Sequence, residues 1–283
     1  RTWSERWKYS RGLGRWLGTN TQRYDVVHVH AVWSYSTRAA ANAARRAGVP
    51  FIVRPAGMLS RWSFSHRSFL KTLFWNTGER ACLEAAAGFH ATSEEEAEEI
   101  HRLFPAARVS VIANGVSDEA WDTFPPSETS KTVSALRNGG SPVVLFLSRL
   151  HPKKGVVDLL LPAFAELTVP AKLVIAGGAD EHAPEYAVEV ERTIDRLKLG
   201  DRVTLVGAVK SSDRWSILDA ADLFVLPSHS ENFGIVVAEA MARGRPVVVT
   251  DAVQSAPHVL TAGAGLAVPV RVDAVRDALQ KLL

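Results

Sequence analysis

From residue 142 onward, short apolar runs alternate with amphipathic stretches. The runs are apolar throughout, not at every second residue, which is typical of strands covered on both faces of a parallel sheet. We therefore predict a doubly wound α/β domain with strands at 143–148, 172–177, 202–207, 222–227 and 246–251 and helices at 156–168, 185–198, 212–221 and 234–243.

The first half of the chain repeats this alternation, with strands predicted near 25–30, 50–54, 88–92 and 108–113 and helices near 36–48, 65–87 and 94–104. Between the halves, residues 117–141 contain two adjacent prolines, several Ser and Thr, and Gly139-Gly140, a composition typical of a linker. We predict an α/β protein of two Rossmann-like, doubly wound domains, at 1–125 and 142–283, joined by a linker at 126–141.

The chain has 283 residues, a length that favours two domains, each with its own core. Its 33 Lys and Arg against 30 Asp and Glu give a net charge of +3, which is too small to indicate a nucleic-acid binder. Residues 1–80, however, carry fourteen basic and three acidic side chains, whereas residues 81–130 carry two and ten. The first stretch is therefore predicted to form a basic surface.

Cys82 is the one cysteine in the sequence, so the chain can form neither an intramolecular disulfide nor a thiolate metal cage. No apolar run approaches the roughly 18 residues that a membrane-spanning helix needs, and the start of the chain lacks the pattern of a signal peptide. We expect a cytoplasmic protein in a reducing compartment.

Two acidic residues stand out after the predicted strand 222–227. Glu231 lies in the sequence HSENFG, and Glu239 follows eight residues later. On a regular helix they would lie about 12 Å apart, comparable to the span of a nucleotide-diphosphate sugar. The amides near Phe233 and Gly234, at the helix start, would suit an anionic group. Alternatively, Glu231 is only an acidic residue of the kind that is favoured near the start of a helix, and Glu239 is a solvated helix residue.

A basic loop follows the predicted strand 143–148. The sequence SRLHPKKG places Arg149, Lys153 and Lys154 close together, with Gly155 admitting close approach of the backbone. A guanidinium fork and an ammonium group are what two adjacent phosphates require. A solvated basic loop is the alternative.

These motifs, SRLHPKKG, then HSENFGIVVAE and then PVVVTD, resemble the nucleotide-sugar domain of the retaining glycosyltransferases of family 4, which have the GT-B fold. The first half resembles that family's acceptor domain in DVVHVHAVWSYS, RPAGMLSRW, HATSEEEAE and VIANGV. The resemblance covers nearly the whole chain. It implies an enzyme that moves a sugar from a nucleoside-diphosphate sugar to the hydroxyl of a glycan or lipid-linked acceptor, in cell-surface polysaccharide synthesis.

The resemblance also implies roles for residues of both loops. Arg149 and Lys154 would bind the donor diphosphate, and together with Glu231 they are the candidate catalytic residues. Glu231 would bind the sugar hydroxyls and Glu239 the ribose. The remaining donor-binding candidates are Asn232, Phe233 and Gly234.

The implied reaction retains the anomeric configuration, and the leaving diphosphate itself deprotonates the acceptor hydroxyl. The residues agree with this reaction, because the sequence has no D-x-D metal motif and cations stand where Mg²⁺ would otherwise offset the phosphates. We expect no metal and no cofactor besides the nucleotide-sugar co-substrate.

Two features depart from the family pattern. Relatives commonly have His or Arg before the Gly of the GML segment, whereas this chain has Ala56, and Arg54, Arg61 or His66 are the candidate substitutes. The opening strand and Gly-rich loop of the family are also missing, so we expect a truncated N-terminal domain.

The acceptor side is predicted to include Arg54, Gly57 and His30. His28 and His30 would share a face of one strand. Because no third ligand lies at a sensible spacing, we favour a role in the acceptor site or in the core over metal binding. Gly12, Gly14 and Gly18 do not form a dinucleotide-binding loop, because they precede a strand.

Basic and aromatic residues alternate near the start of the chain, namely Trp3, Arg6, Trp7, Lys8, Arg11, Arg15 and Trp16. Such residues suit an anionic membrane surface or a lipid-linked diphosphate, although ordinary packing explains the tryptophans equally well. Two rival functions stay open. One is a non-catalytic nucleotide-sugar-binding or interaction protein, and the other, disfavoured by the basic phosphate loop, is a two-lobed solute-binding protein.

Overall fold

The computed structural model describes residues 9–65, 68–137 and 140–283. The chain divides into two compact units, Arg1–Asn114 and Gly115–Leu283. Each unit contains one parallel sheet, which confirms the predicted α/β class with two parallel sheets. The boundary lies earlier than the predicted end of the first domain at residue 125. Five residues singled out above, Trp3, Arg6, Trp7, Lys8 and His66, lie outside the described residues, as does Gly139 of the predicted linker.

The first sheet has four parallel strands in sequential order, β1 Val27–His30, β2 Phe51–Arg54, β3 Gly88–Ala91 and β4 Val109–Val111. The helices described in this unit are α1 Arg11–Asn20, α2 Tyr35–Ala47, α3 Arg61–Ser65, α4 Ser68–Phe74, α5 Arg80–Glu84 and α6 Glu94–Leu103. Serine caps begin α2 and α6, because the Ser34 and Ser93 hydroxyls accept from the Thr37 and Glu96 amides.

The predicted helix 65–87 is interrupted in the structure. A π-helical turn, Trp75–Glu79, separates α4 from α5, and Gly78 within it has a φ of 121°. This left-handed backbone is accessible to glycine but breaks a regular helix. The break places the Glu79 carboxylate at the Trp33 amide, 3.2 Å away, in the loop after β1.

The two faces of the first sheet differ. Apolar residues of one face, among them Val29, Phe51, Val53 and Phe89, pack against α2, α5 and α6. Sequential parallel strands with right-handed crossovers place their helices on one face in this way. The other face carries the exposed His28 and His30 and the half-buried Ile52, Arg54 and His90. We refer to it as the outer face.

The second sheet has six parallel strands, β5 Val143–Leu147, β6 Lys172–Ala176, β7 Val203–Gly207, β8 Leu223–Leu226, β9 Val247–Thr250 and β10 Gly265–Val268. Their spatial order is β10-β9-β8-β5-β6-β7. The order runs outward from β5 in both directions, so this sheet is doubly wound. The strands β5, β6, β8 and β9 are almost wholly buried, as their uniformly apolar sequences predict.

The helices described in the second unit are α7 Glu128–Ala135, α8 Leu161–Ala165, α9 Glu185–Arg196, α10 Arg214–Ala220, α11 Ile235–Ala242, α12 Ala256–Thr261 and α13 Val272–Leu282. A π-helical turn, Val156–Leu160, leads into α8. The predicted linker 126–141 differs from the structure, because α7 lies within it and buries Ser130 and Val133. The composition of the segment did not predict α7, because Val133 is the one buried apolar residue of this helix. No described helix is long and apolar enough to cross a membrane.

Candidate functional site

The strand order of the second sheet places a crevice next to the two sequence motifs. The order reverses between β5 and β8, and ligands of open α/β sheets bind beyond the carboxyl ends of the strands at such a point. The SRLHPKKG loop follows β5, and the HSENFG loop follows β8. A cavity of about 400 Å³ lies there, and Lys154, Glu231, Arg214 and Glu239 contribute to its lining.

The Lys154 amine lies within this cavity. A short 3-10 turn, Pro152–Lys154, begins at His151, whose side chain accepts from the Lys153 amide. Gly155 ends the turn with a φ of 67°, and a Cβ there would collide with the Pro227 carbonyl oxygen. Glycine therefore lets the β5 loop contact the β8 loop directly.

Lys154 and Glu231 form a nearly buried ion pair. The Lys154 amine donates to Glu231 Oε2, and the two side chains are 7% and 14% exposed. Burial lowers the pKa of Lys154, and the neighbouring Glu231 carboxylate opposes this shift. The pair brings together two of the three candidate catalytic residues.

Glu231 does not lie on the helix, so the regular-helix spacing of about 12 Å does not describe the two glutamates. Gly234, with a φ of 70°, precedes α11, and Glu231 lies in the loop before it. The Glu231 amide donates to the Ala252 carbonyl, and the Gln254 amide donates to the Glu231 carbonyl, at 3.0 and 3.1 Å. Two backbone hydrogen bonds to the segment after β9 thus fix the position of Glu231.

The other candidates of this segment surround the start of α11. Phe233 is buried, Asn232 is half-buried, and Gly234 lines the cavity. The first amides of a helix have no partner within it and favour an anion. The amides near Phe233 and Gly234 lie at the start of α11, and their binding of an anionic group stays a prediction.

Glu239 projects from α11 and is only 6% exposed. Burial raises the pKa of its carboxyl group, and the Arg214 guanidinium, 3.4 Å away, opposes this. Arg214 also lies over the Trp215 ring at 4.5 Å. The sequence analysis did not single out Arg214. Its position just after the β7 loop indicates the site only when the strand order, which brings that loop to the cavity, is known.

Arg149 forms an ion pair with an acidic residue of the neighbouring loop. Its guanidinium binds Asp180, which follows β6, and its side chain is 67% exposed. Burial acts to raise the pKa of Asp180, but the His182 amide and Arg149 outweigh burial and hold that pKa low. Arg149 is not among the residues that line the cavity. Its role in binding the donor diphosphate stays a prediction, and Asp180 is a partner that the sequence did not indicate.

The acceptor-side candidates cluster in the first unit. The Arg54 guanidinium binds Asn114 Oδ1 and lies 3.5 Å from His30 Nδ1. The Gly57 amide donates to Glu96 Oε1 at 2.6 Å, and Glu96 is fully buried. The buried carboxylate thus fixes the turn after β2.

Ala56 lies in this turn with a φ of 54°, an uncommon conformation for a residue with a side chain. Arg61 is exposed, and its amide donates to Glu99 Oε1 at 3.2 Å. No guanidinium other than that of Arg54 is brought to His30 among the described contacts. Within the described ranges, no three His, Cys, Asp or Glu residues are grouped so as to hold a metal ion.

Two known protein families match the chain, one over each of its two units. Residues 128–283 match the family model for glycosyl transferases group 1, and residues 1–115 match a glycosyl transferase 4-like domain. The first match alone covers more than half of the chain. The chain belongs to the group 1 glycosyltransferase family.

Curated relatives of this group 1 glycosyltransferase are longer proteins. A D-inositol 3-phosphate glycosyltransferase of Xylanimonas cellulosilytica is 33% identical over 233 residues, which are 80% of this chain and 55% of the relative. One from Mycobacterium sp. (strain KMS) is 36% identical over 178 residues, 60% of this chain and 38% of the relative. The chain thus spans about half or less of the length of these relatives.

Solved structures share the fold of this group 1 glycosyltransferase. Anabaena HepE, determined in complex with UDP and glucose, has a TM-score of 0.75 at 24% identity, covering 95% of this chain and 71% of HepE. The sucrose-phosphate synthase of Thermosynechococcus elongatus has a TM-score of 0.73 at 24% identity, covering 92% and 64%. Both have the two-sheet GT-B architecture, which confirms the predicted fold class.

Proposed function

We propose that this protein transfers a sugar from a nucleoside-diphosphate sugar to an acceptor hydroxyl. The observation that carries the proposal is the Lys154–Glu231 pair at the sheet's switch point, in one cavity with Glu239 and Arg214. The family membership and the glycosyltransferase names of the relatives support it.

Lys154 is the group that would neutralise the donor diphosphate. Its amine is buried and held by one carboxylate, so a phosphate that enters the cavity would compete with Glu231 for the Lys154 donors. Glu231, thus released, would accept from the sugar hydroxyls. Glu239, which lines the same cavity, would accept from the ribose.

We propose that the transfer retains the anomeric configuration, as the resemblance to the family 4 glycosyltransferases implies. The bond between the anomeric carbon and the phosphate oxygen breaks, and the acceptor oxygen forms the new bond on the same face. The acceptor proton passes to the departing phosphate oxygen. Lys154 and the amides at the start of α11 would stabilise the charge that develops on the diphosphate, which is why we propose no metal requirement.

The acceptor is proposed to be a glycan or a lipid-linked hydroxyl in cell-surface polysaccharide synthesis. Arg54, His30 and Gly57, which the structure brings to the ends of β1 and β2, are the proposed acceptor-side residues. We propose a cytoplasmic location, with peripheral contact to an anionic membrane through the basic first 80 residues.

Calorimetric titration with UDP, GDP and ADP tests donor binding. UDP is the first choice, because HepE was determined with UDP. Lys154→Met is expected to weaken the binding of the nucleoside diphosphate by roughly tenfold to a hundredfold, because one charged hydrogen bond is lost. Lys281→Met, on the exposed side of α13, is the matched control and leaves the affinity unchanged.

Two further variants separate the ends of the donor. Glu239→Gln is expected to weaken the binding of UDP itself. Glu231→Gln is expected to leave the affinity for UDP unchanged and to remove the additional affinity that the protein has for the correct nucleotide sugar. Absence of nucleoside-diphosphate binding by the folded protein would overturn the proposal.

The second candidate function is nucleotide-sugar binding without transfer. It is favoured by Ala56, an apolar residue in the turn where relatives carry His or Arg. Release of nucleoside diphosphate from a panel of nucleotide sugars separates the two, because a binding protein retains the donor intact.

A further inference from the structure

A second cavity, of about 600 Å³, lies between α1 and α2 and is lined wholly by residues of the first unit. Its volume is in the usual range for small-ligand sites. The polar side chains that matter here are Arg11, Arg15, Arg46, Tyr9, Tyr35 and Gln22. No residue of the donor site described above contributes to it.

The shape of this cavity depends on where α1 lacks side chains. A Cβ at Gly14 would collide with the Tyr35 hydroxyl, so glycine lets that hydroxyl lie directly against α1. Gly18, one turn later, faces open space. Tyr9 packs edge-on against the Tyr35 ring, with 4.7 Å between centroids, and the two rings form one wall.

The charge around the cavity is unbalanced. Arg11, Arg15 and Arg46 are exposed, and no described contact gives any of them a hydrogen-bond or ion-pair partner. Among the described residues that line the cavity there is no Asp or Glu. Three arginines therefore line one polar cavity with no carboxylate from the described part of the chain, an arrangement that an anionic ligand stabilises.

We infer that this cavity binds a phosphate ester. A guanidinium presents a planar fork of donors that matches phosphate oxygens, and several forks can hold one phosphate group. Gln22 and the tyrosine hydroxyls stand beside them and suit the hydroxyl groups of the esterified alcohol. The inference does not depend on the proposed glycosyl transfer, because it uses no residue of the second unit.

The shared phosphate chemistry can come from a soluble ester or from a lipid headgroup, and separate probes distinguish them. Inorganic phosphate and glycerol 3-phosphate are titrated calorimetrically into the protein at low salt. Flotation with phosphatidylglycerol vesicles, against phosphatidylcholine vesicles, tests the headgroup. Binding of a soluble probe assigns a soluble ester, and binding of phosphatidylglycerol vesicles alone assigns a lipid.

The double variant Arg15→Gln/Arg46→Gln tests the site itself. We expect the double variant to bind the probe roughly tenfold or more weakly than the wild-type protein does, since two charged hydrogen-bonding groups are lost. Arg45→Gln removes the same charge from the same helix, outside the cavity lining, and is expected to change binding less than about twofold.

Because all three arginines are exposed, the variants are expected to retain the wild-type circular dichroism spectrum and UDP affinity. If no probe binds, or if Arg45→Gln weakens binding as much as the double variant does, the cavity is not a phosphate site.

Discussion

At the residue scale, the Lys154–Glu231 pair is the most buried ion pair of the cavity beside the β5 and β8 loops. Both side chains are largely removed from water, so each charge depends on the other for compensation. Removing one member of such a pair leaves a buried charge alone, which costs more than the pair contributes.

We therefore predict a double-mutant cycle with strong coupling. Lys154→Met is expected to lower the free energy of unfolding by about 3 kcal/mol, because the Glu231 carboxylate loses its partner. Adding Glu231→Gln should restore more than half of that loss. Urea unfolding followed by circular dichroism measures both.

The exposed pair Lys131–Glu128, 2.5 Å apart on α7, provides the control. Lys131→Met there should cost less than about 1 kcal/mol. Equal losses for Lys131→Met and Lys154→Met would contradict the assignment of Lys154 to a buried pair.

The site residues divide according to how far sequence reasoning reaches. Lys154, Glu231 and Glu239 were predicted from the two motifs that follow β5 and β8. Arg214 and Asp180 were not, because they follow β7 and β6, and only the strand order brings those loops beside the others. Sequence also gave no means to see that Asp180 would engage Arg149.

At the element scale, the β5 loop depends on Gly155. Alanine there would adopt an unfavourable positive φ and would also collide with the Pro227 carbonyl oxygen of the β8 loop. We predict that Gly155→Ala lowers the free energy of unfolding by at least about 2 kcal/mol and weakens nucleotide binding.

Gly244 separates the two causes. It has a φ of 65°, but nothing lies within 4 Å of a Cβ built there. Gly244→Ala should therefore show only the conformational cost, about 1 kcal/mol, and normal nucleotide affinity. A loss at Gly244 as large as that at Gly155 would mean that the collision with Pro227 is relieved.

The outer face of the first sheet is predicted to make stability depend on pH. Although both side chains are exposed, partial loss of contact with water lowers the pKa of His28 and His30, and positive neighbours including His90 and Arg54 add to this. Below about pH 6.5 the unfolded chain therefore binds more protons than the folded one, and the free energy of unfolding decreases as the pH is lowered.

Replacing both histidines with glutamine should flatten this dependence. Thermal unfolding between pH 7.5 and 5 measures it, and His101→Gln on the exposed side of α6 is the control. An unchanged slope in the His28→Gln/His30→Gln variant would show that other groups cause the acid sensitivity.

Elements were predictable where one signal dominated. The almost wholly buried strands β5, β6, β8 and β9 lie within two residues of their predicted positions, since their sequences are almost uniformly apolar. The predicted helix 65–87 failed at Gly78, whose φ depends on the turn around Glu79 and Trp33. The strand β10 was not predicted, and its residues are only half-buried.

At the scale of the whole molecule, the second unit has its own closed core, with buried residues on both sides of its sheet. We predict that residues 115–283 fold alone and bind nucleoside diphosphate with the affinity of the full chain. Trp215, fully buried, reports cooperative unfolding by fluorescence. A fragment that unfolds without cooperativity or does not bind nucleotide would contradict this.

The order of strands in the two sheets has a further consequence, for the time course of folding. Each strand of the first sheet pairs with the next one along the chain, so that sheet can grow stepwise as the polypeptide lengthens. In the second sheet, Val144 of β5 pairs on one side with Leu173 but on the other with Leu223. Closing such a long loop before its contacts form is slow. During synthesis one side of β5 thus stays open until β8 emerges, and chaperone binding is expected to concentrate in that interval.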